Sequence, residues 1–137
     1  MSSFNIFDIA GSGMSAQSLR LNLTASNLAN AESVSGNAKG VYRPREAMFA
    51  ALLESETGSG TAARVQVLGV TESNAAPQMR YEPSHPLADE KGYIYLPNVN
   101  VVEQMANMIS ASRSYQNNVE ILNTAKQLLM ATLRIGQ

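Results

Sequence analysis

Apolar and small residues recur at alternating steps of three and four at both ends of the chain. Near the start they are Phe4, Phe7, Gly11, Met14, Ser18, Leu21, Ala25 and Leu28. Near the end they are Val101, Met105, Met108, Ser112, Tyr115, Val119, Leu122, Lys126, Leu129 and Leu133. Each set lines one side of a helix and reads as a coiled-coil seam. The spacing predicts a first helix from about Phe4 to about Ala31 and a second running on to about Ile135. At about 1.5 Å per residue they would be roughly 40 and 50 Å long.

The flanking residues fit these bounds. Ser3 is an N-cap candidate, and Asp8 lies early in the first helix, where negative charge is favoured. Gly11 and Gly13 each cost that helix up to about 1 kcal/mol relative to alanine. They mark either a frayed first turn or close approach of a neighbouring backbone. The Ser, Gly and Asn residues of Ser33–Gly40 end the helix. Asn100, with Glu103 three residues on, forms a capping-box pattern at the start of the second helix. Arg134 suits its negative end, and Gly136 stands where a C-terminal glycine belongs.

Between the helices the pattern changes. Tyr42–Leu53 is compatible with a strand or a short helix, and Pro44 disfavours helix for Arg43. Glu54–Ala63 is a flexible loop by composition. Arg64–Val70 alternates as a strand does, and Met79–Glu82 and Gly92–Leu96 are rich in strand formers. Pro83, Pro86, Asp89 and Gly92 punctuate the link between the last two. The expected fold is mainly α with a small β-rich insertion of three or four strands. The terminal helices would form an antiparallel coiled-coil pair. Residues 1–32 and 99–137 then make one discontinuous unit interrupted by 33–98.

Such a pair leaves apolar positions over. Leu19 and Leu23 in the first helix, and Val102, Ile109, Leu128 and Ile135 in the second, lie off the main seams. They pack either on the insertion or on further copies and relatives. The polar seam residues Ser18, Ser112 and Lys126 weaken the seams while fixing register and partner choice.

Composition narrows the chemistry. The 137 residues are one domain's worth, with 15% charged residues and a formal net charge of −1. There is no basic field for nucleic acid or a membrane surface. Cysteine is absent and His85 is the sole histidine, which excludes disulfides and thiolate chemistry. No stretch approaches the roughly 20 apolar residues of a membrane span. The first residues lack a basic region and an apolar run, so no cleavable signal peptide is expected. His85, in Pro83-Ser84-His85-Pro86, is read as structural. Asp89 and Glu90 are read as solvating a turn. No nucleotide-binding or zinc-protease motif is present, and no cofactor, metal or small-molecule substrate is expected.

Two stretches carry a resemblance. Leu23–Phe49, with its core Ser26-Asn27-Leu28-Ala29-Asn30-Ala31, resembles the N-terminal motif of bacterial flagellar rod and hook proteins. Leu96–Gln137 resembles the C-terminal motif of the same family, through Pro97-Asn98-Val99-Asn100 and Ser110-Ala111-Ser112-Arg113-Ser114-Tyr115-Gln116. Pro86-Leu87-Ala88-Asp89 followed by Gly92-Tyr93 fits the proximal-rod members. Where the family usually has a Thr-Pro-Gly-Tyr type of turn, this chain has the longer Ser33–Tyr42 segment.

The resemblance implies a structural subunit of the flagellar proximal rod, a drive shaft transmitting motor torque to the hook. It implies export through the flagellar type III apparatus without a cleaved signal, and assembly in the periplasm. The implied partners are copies of itself, related rod proteins and a membrane-ring or export-gate adaptor, with no direct membrane insertion. The implied assembly interface comprises Leu21, Ala25, Asn27, Leu28 and Asn30, then Asn98, Asn100, Met105, Met108, Ser112, Tyr115, Val119, Leu122, Leu129 and Leu133. Asn27 and Asn30 would make polar contacts near the helix end, and Asn98 and Asn100 would set the turn into the second helix. The competing readings are a secreted type III translocator or effector with terminal helices, and a small hydrolase using His85.

Overall fold

The computed structural model describes residues 3–54 and 62–135. Helix α1 is Ser3–Ala29 and helix α2 is Val101–Ile135. Between them lie strands β1 (Arg45–Glu54), β2 (Ala62–Glu72), β3 (Gln78–Tyr81) and β4 (Tyr93–Leu96). The predicted architecture of two terminal helices around an antiparallel insertion is present. Most of the predicted Glu54–Ala63 loop lies outside the described residues, as do Gly136 and the side chains of Phe4 and Ile135.

Ser3 is the first residue of α1 rather than its cap. The helix closes two residues before the predicted end, because Asn30 takes over the exposed carbonyls. Its N–H and its side-chain amide both donate to the Ser26 carbonyl, at 3.1 and 2.8 Å. Ala31 N–H then reaches the Leu28 carbonyl at 3.2 Å, the tighter step by which helices terminate. At the other helix, Asn100 caps as predicted. Its Oδ1 accepts the Glu103 N–H at 3.3 Å and its carbonyl accepts the Gln104 N–H at 3.0 Å.

Within Tyr42–Leu53 the strand alternative holds from Arg45 onward. The run Arg45–Glu54 contains good helix formers, but β2 offers it a partner along its whole length, and pairing overrides propensity. The register runs from Arg45 opposite Glu72 to Glu54 opposite Ala62, with a bulge between Met48 and Phe49 that leaves Leu68 unpaired. Ser73 N–H on the Pro44 carbonyl closes the base of this ribbon at 2.8 Å.

The insertion has four strands among the described residues, within the expected three or four, but they do not join in one sheet. It is two separate two-stranded sheets, β1–β2 and β3–β4. Pro77, just before β3, has no N–H to extend a ladder. The smaller sheet instead borrows Ser35, which exchanges both backbone hydrogen bonds with Tyr95 at 2.9 Å each.

α1 packs against α2 and also touches β1 and β2. Asn27 bonds to Gln104, Arg20 bonds to Asn107 at 2.8 Å, and Gly13 lies against Asn118. Partner numbers on α2 thus rise as those on α1 fall. The most buried line on α1 is Ala10, Ala16, Thr24 and Asn27, with Gly13, Gln17 and Arg20 partly buried along it. On α2 it is Gln104, Ala111 and Ala125, with Met108, Tyr115, Asn118, Leu122 and Leu129 partly buried.

On α1 this line lies one residue before the predicted seam; on α2 it combines the positions one before the seam, Gln104, Ala111, Asn118 and Ala125, with four seam residues, Met108, Tyr115, Leu122 and Leu129. On α1, Ser18 and Ala25 are exposed; on α2, Met105 and Leu133 are 50% and 67% exposed. A one-residue offset turns the facing surface by about 100°. The reason is that α1 meets α2 through its smallest residues. Rows of Ala, Gly and Thr let two backbones approach as leucine rows would not. Ile94, fully buried, is the largest apolar side chain in the core among the described residues.

Candidate assembly interface

Asn27 is the polar centre of the helix pair. It is 1% exposed and uses its full hydrogen-bonding capacity. Its Nδ2 donates to the Arg45 carbonyl at 2.9 Å and to Gln104 Oε1 at 3.1 Å. Its Oδ1 accepts the Tyr42 hydroxyl and the Arg45 N–H, both at 2.9 Å. The side-chain amide thereby mimics a strand residue pairing with Arg45, and ties α1, the entry to β1 and α2 together. Tyr42 Oη also lies 3.1 Å from Ser26 Oγ.

Gln104 had no place in the predicted interface, nor did Tyr42, Ala111 or Ala125. The available signal was the recurrence of small residues fourteen apart, Ala111 and Ala125, one position before the apolar row.

The other predicted residues are distributed as follows. Leu21, Leu28, Met108, Ser112, Tyr115, Val119, Leu122 and Leu129 are partly buried, and Ala25, Met105 and Leu133 are exposed. Asn98 is exposed and accepts the Gln78 side-chain amide at 3.5 Å. Asn100 is occupied in capping α2.

Thus each helix carries two neighbouring rows. One is turned inward, and beside it runs the row legible in the sequence: Met14, Leu21 and Leu28 on α1, and Met105, Val119 and Leu133 on α2. The insertion covers a different flank. Leu23, off the main seam, lines a cleft of about 340 Å³ together with Ala47 and Phe49 of β1 and with Arg20, Gln104 and Asn107. Val102, Ile109 and Leu128 remain 76%, 55% and 63% exposed.

The chemistry-bearing residues of the insertion serve its turns. His85 Nδ1 accepts the Leu87 N–H at 3.1 Å. Asp89 Oδ1 accepts the N–H groups of Tyr93 and Lys91, at 2.8 and 2.9 Å, and its Oδ2 accepts the Tyr95 hydroxyl at 3.1 Å. The bond from the Tyr93 N–H is the main cause holding the Asp89 carboxyl below its ordinary range, and the Asp89 carboxylate in turn raises the Tyr95 hydroxyl. Among the described residues no cluster of His, Cys, Asp or Glu could hold a metal ion, and no helix is long and apolar enough to cross a membrane.

Known proteins match the chain at the same two helices and along its whole length. Residues 7–36 match the family model described as flagella basal body rod protein, and residues 90–135 match the one described as flagellar basal body rod FlgEFG protein C-terminal. Flagellar basal-body rod protein FlgC of Escherichia coli O6:H1 (strain CFT073) is 52% identical over 137 residues, all of both chains. The FlgC proteins of Salmonella typhimurium (strain LT2) and Yersinia enterocolitica are 50% and 51% identical, again over all of both chains. With half its residues shared from end to end, the chain belongs to the FlgC family of flagellar basal-body rod proteins.

Proposed function

We propose that the chain is a structural subunit of the flagellar proximal rod that assembles through its two terminal helices and transmits motor torque to the hook. The family is one of structural rod proteins rather than enzymes. The observation that carries the assembly mechanism is the offset of the seams. Within one chain, the small and polar rows of α1 and α2 meet as an antiparallel coiled-coil pair. The larger apolar row beside each stays available for helices of other subunits. Leu21, Ala25 and Leu28 on α1 face such a neighbour. On α2, Met105, Ser112, Val119 and Leu133 do the same, while Met108, Tyr115, Leu122 and Leu129 border both contacts. Asn27, Asn30, Asn98 and Asn100 hold the ends of the helices in the geometry that presents these rows.

Residues 1–32 and 99–137 act as one discontinuous assembly unit, and 33–98 as an insertion mounted on it. The neighbours are further copies, related rod proteins and a membrane-ring or export-gate adaptor, in a periplasmic rod reached through the flagellar type III apparatus. No observation favours a translocator, an effector or a hydrolase.

The test places a charge on the free row without touching the inner one. Met105→Asp with Leu133→Asp alters two exposed positions, so the purified chain keeps its helical content and melting temperature. Complementation of a strain lacking the protein with this variant gives no rods in isolated basal bodies and no motility. Normal rods and swimming with the double variant would sink the assignment of this row.

A further inference from the structure

Two β-turns run back to back between β3 and β4, and His85 belongs to both. His85 N–H on the Glu82 carbonyl closes the first at 3.1 Å, and Ala88 N–H on the His85 carbonyl closes the second at 3.0 Å. Pro83 and Pro86 occupy their second positions, where a fixed φ suits the turn. The His85 side chain adds a bond of its own, Nδ1 accepting the Leu87 N–H at 3.1 Å. A ring nitrogen accepts only when it carries no proton, so in this arrangement any proton of the neutral ring resides on Nε2.

Leu87 is the point at which the turn meets the rest of the molecule. Its carbonyl oxygen lies 2.7 Å from where a Cβ on Gly36 would stand, so turn and loop backbones touch directly. The Gly36 loop leads from α1 to Tyr42, and its Ser35 is paired with Tyr95.

We propose that the His85 turn is a proton-sensitive clasp, in which the unprotonated imidazole holds Leu87 against the Gly36 loop and protonation releases it. Histidine changes charge between about pH 5 and 8. The imidazolium has a donor on both nitrogens, so Nδ1–H would confront the Leu87 N–H and the side-chain bond that holds Leu87 would be lost. The charged neighbours along the turn are Glu82, Asp89, Glu90 and Lys91, with Arg80 on β3 and Lys39 on the facing loop. Glu82 pairs with Arg80 at 2.7 Å. Asp89 is held by Lys91, Tyr93 and Tyr95, and its lowered carboxyl titrates below this window. Among the described residues none of these groups hydrogen-bonds to the imidazole.

The full-length ¹⁵N-labelled chain tests this by amide exchange and NMR between about pH 8 and pH 5. The Leu87 protection factor falls about fivefold on acidification, the effect of losing one ordinary hydrogen bond. The Gly36 amide resonance moves with the midpoint of the His85 ring. His85→Asn keeps an acceptor oxygen near the place of Nδ1 and stays closed at both pH values. His85→Ala is open at both. Leu87 protection that stays constant while the ring titrates overturns the proposal. So does a pH response that persists in His85→Asn, which would assign it to the carboxylates.

Discussion

The Asn27 amide donates to Gln104 Oε1 across 3.1 Å, joining two helices at positions 77 residues apart in sequence. That bond is one of four made by a side chain with almost no contact with solvent. Asn27→Ala strands the Arg45 N–H and carbonyl and Gln104, and leaves the Tyr42 hydroxyl with Ser26 alone. A buried polar group left without a partner costs about 1–3 kcal/mol, so the variant should lose about 3 kcal/mol in urea unfolding followed by circular dichroism. Gln104→Leu removes one partner only and should cost less than half as much. Equal losses for the two would show that Asn27 is not the centre of the network.

The close contact of the helices makes opposite predictions for two small residues. A Cβ on Gly13 would come 2.9 Å from the Asn118 side-chain amide, the movable end of a flexible chain. Alanine there gains up to about 1 kcal/mol of helix propensity, so Gly13→Ala should be neutral or slightly stabilising by thermal melting. Ala111 is fully buried on the opposite helix. Ala111→Leu forces extra methylenes into a packed contact and should cost at least about 1–3 kcal/mol. A melting temperature unchanged by Ala111→Leu would refute the packing described for α2.

The Asp89 loop should give the fold a dependence on pH at both extremes. The folded Asp89 carboxyl is held low, chiefly by the Tyr93 N–H, so its contribution is complete above its unfolded value near about 3.9 and disappears as pH falls through the lower folded value. Tyr95, raised by Asp89, behaves in the reverse sense. Its contribution is complete below about 10 and is lost as pH rises through the higher folded value. In Asp89→Asn both dependences should flatten in chemical denaturation measured across pH. Acid sensitivity that survives the substitution would locate it in another carboxylate.

Gly92 ends the Asp89 turn with φ at +81°, a conformation that L side chains rarely adopt. A Cβ there would also lie 2.9 Å from the Tyr81 ring and 3.0 Å from Pro83 Cβ. Gly92→Ala should therefore cost more than the roughly 1 kcal/mol of left-handed backbone alone, and should disturb the edge-on packing of Tyr81 and Tyr93, whose ring centres are 5.3 Å apart. Unchanged tyrosine ring shifts and stability would contradict this account.

Which parts of this were readable in advance follows from the physics of each signal. Helix periodicity and the Asn100 cap are local, and they located both helices to within a few residues. The alternation of Arg64–Val70 and the strand formers of Gly92–Leu96 likewise marked β2 and β4. The fate of Arg45–Glu54 was undecided, because only its partner β2 makes it a strand. The division of the insertion into two sheets depends on which edges find each other, something no run of residues displays. The inner face of α1 was misplaced by one residue, and that of α2 in part, for a related reason. Leucine and methionine rows stand out in a sequence, whereas alanines and a fully bonded asparagine do not, yet the latter are what two close backbones select. Gln104, invisible as an apolar position, acquires its role only through Asn27.

The two sheets also bear on the order in which the chain acquires its structure. Both form between neighbouring segments, Arg45–Glu72 and Gln78–Leu96, whose registers are set by pairing over short stretches of chain. Contact between Asn27 and Gln104 spans a much longer loop, whose closure costs more entropy when the intervening chain is free. A folded ribbon and hairpin shorten that loop. Helix pairing is thus coupled to the insertion, and the outward apolar rows are aligned only when it is folded. A chain with its insertion unfolded would carry unaligned helices, so association through them would be limited by the closure of its own chain as well as by the strength of its contacts.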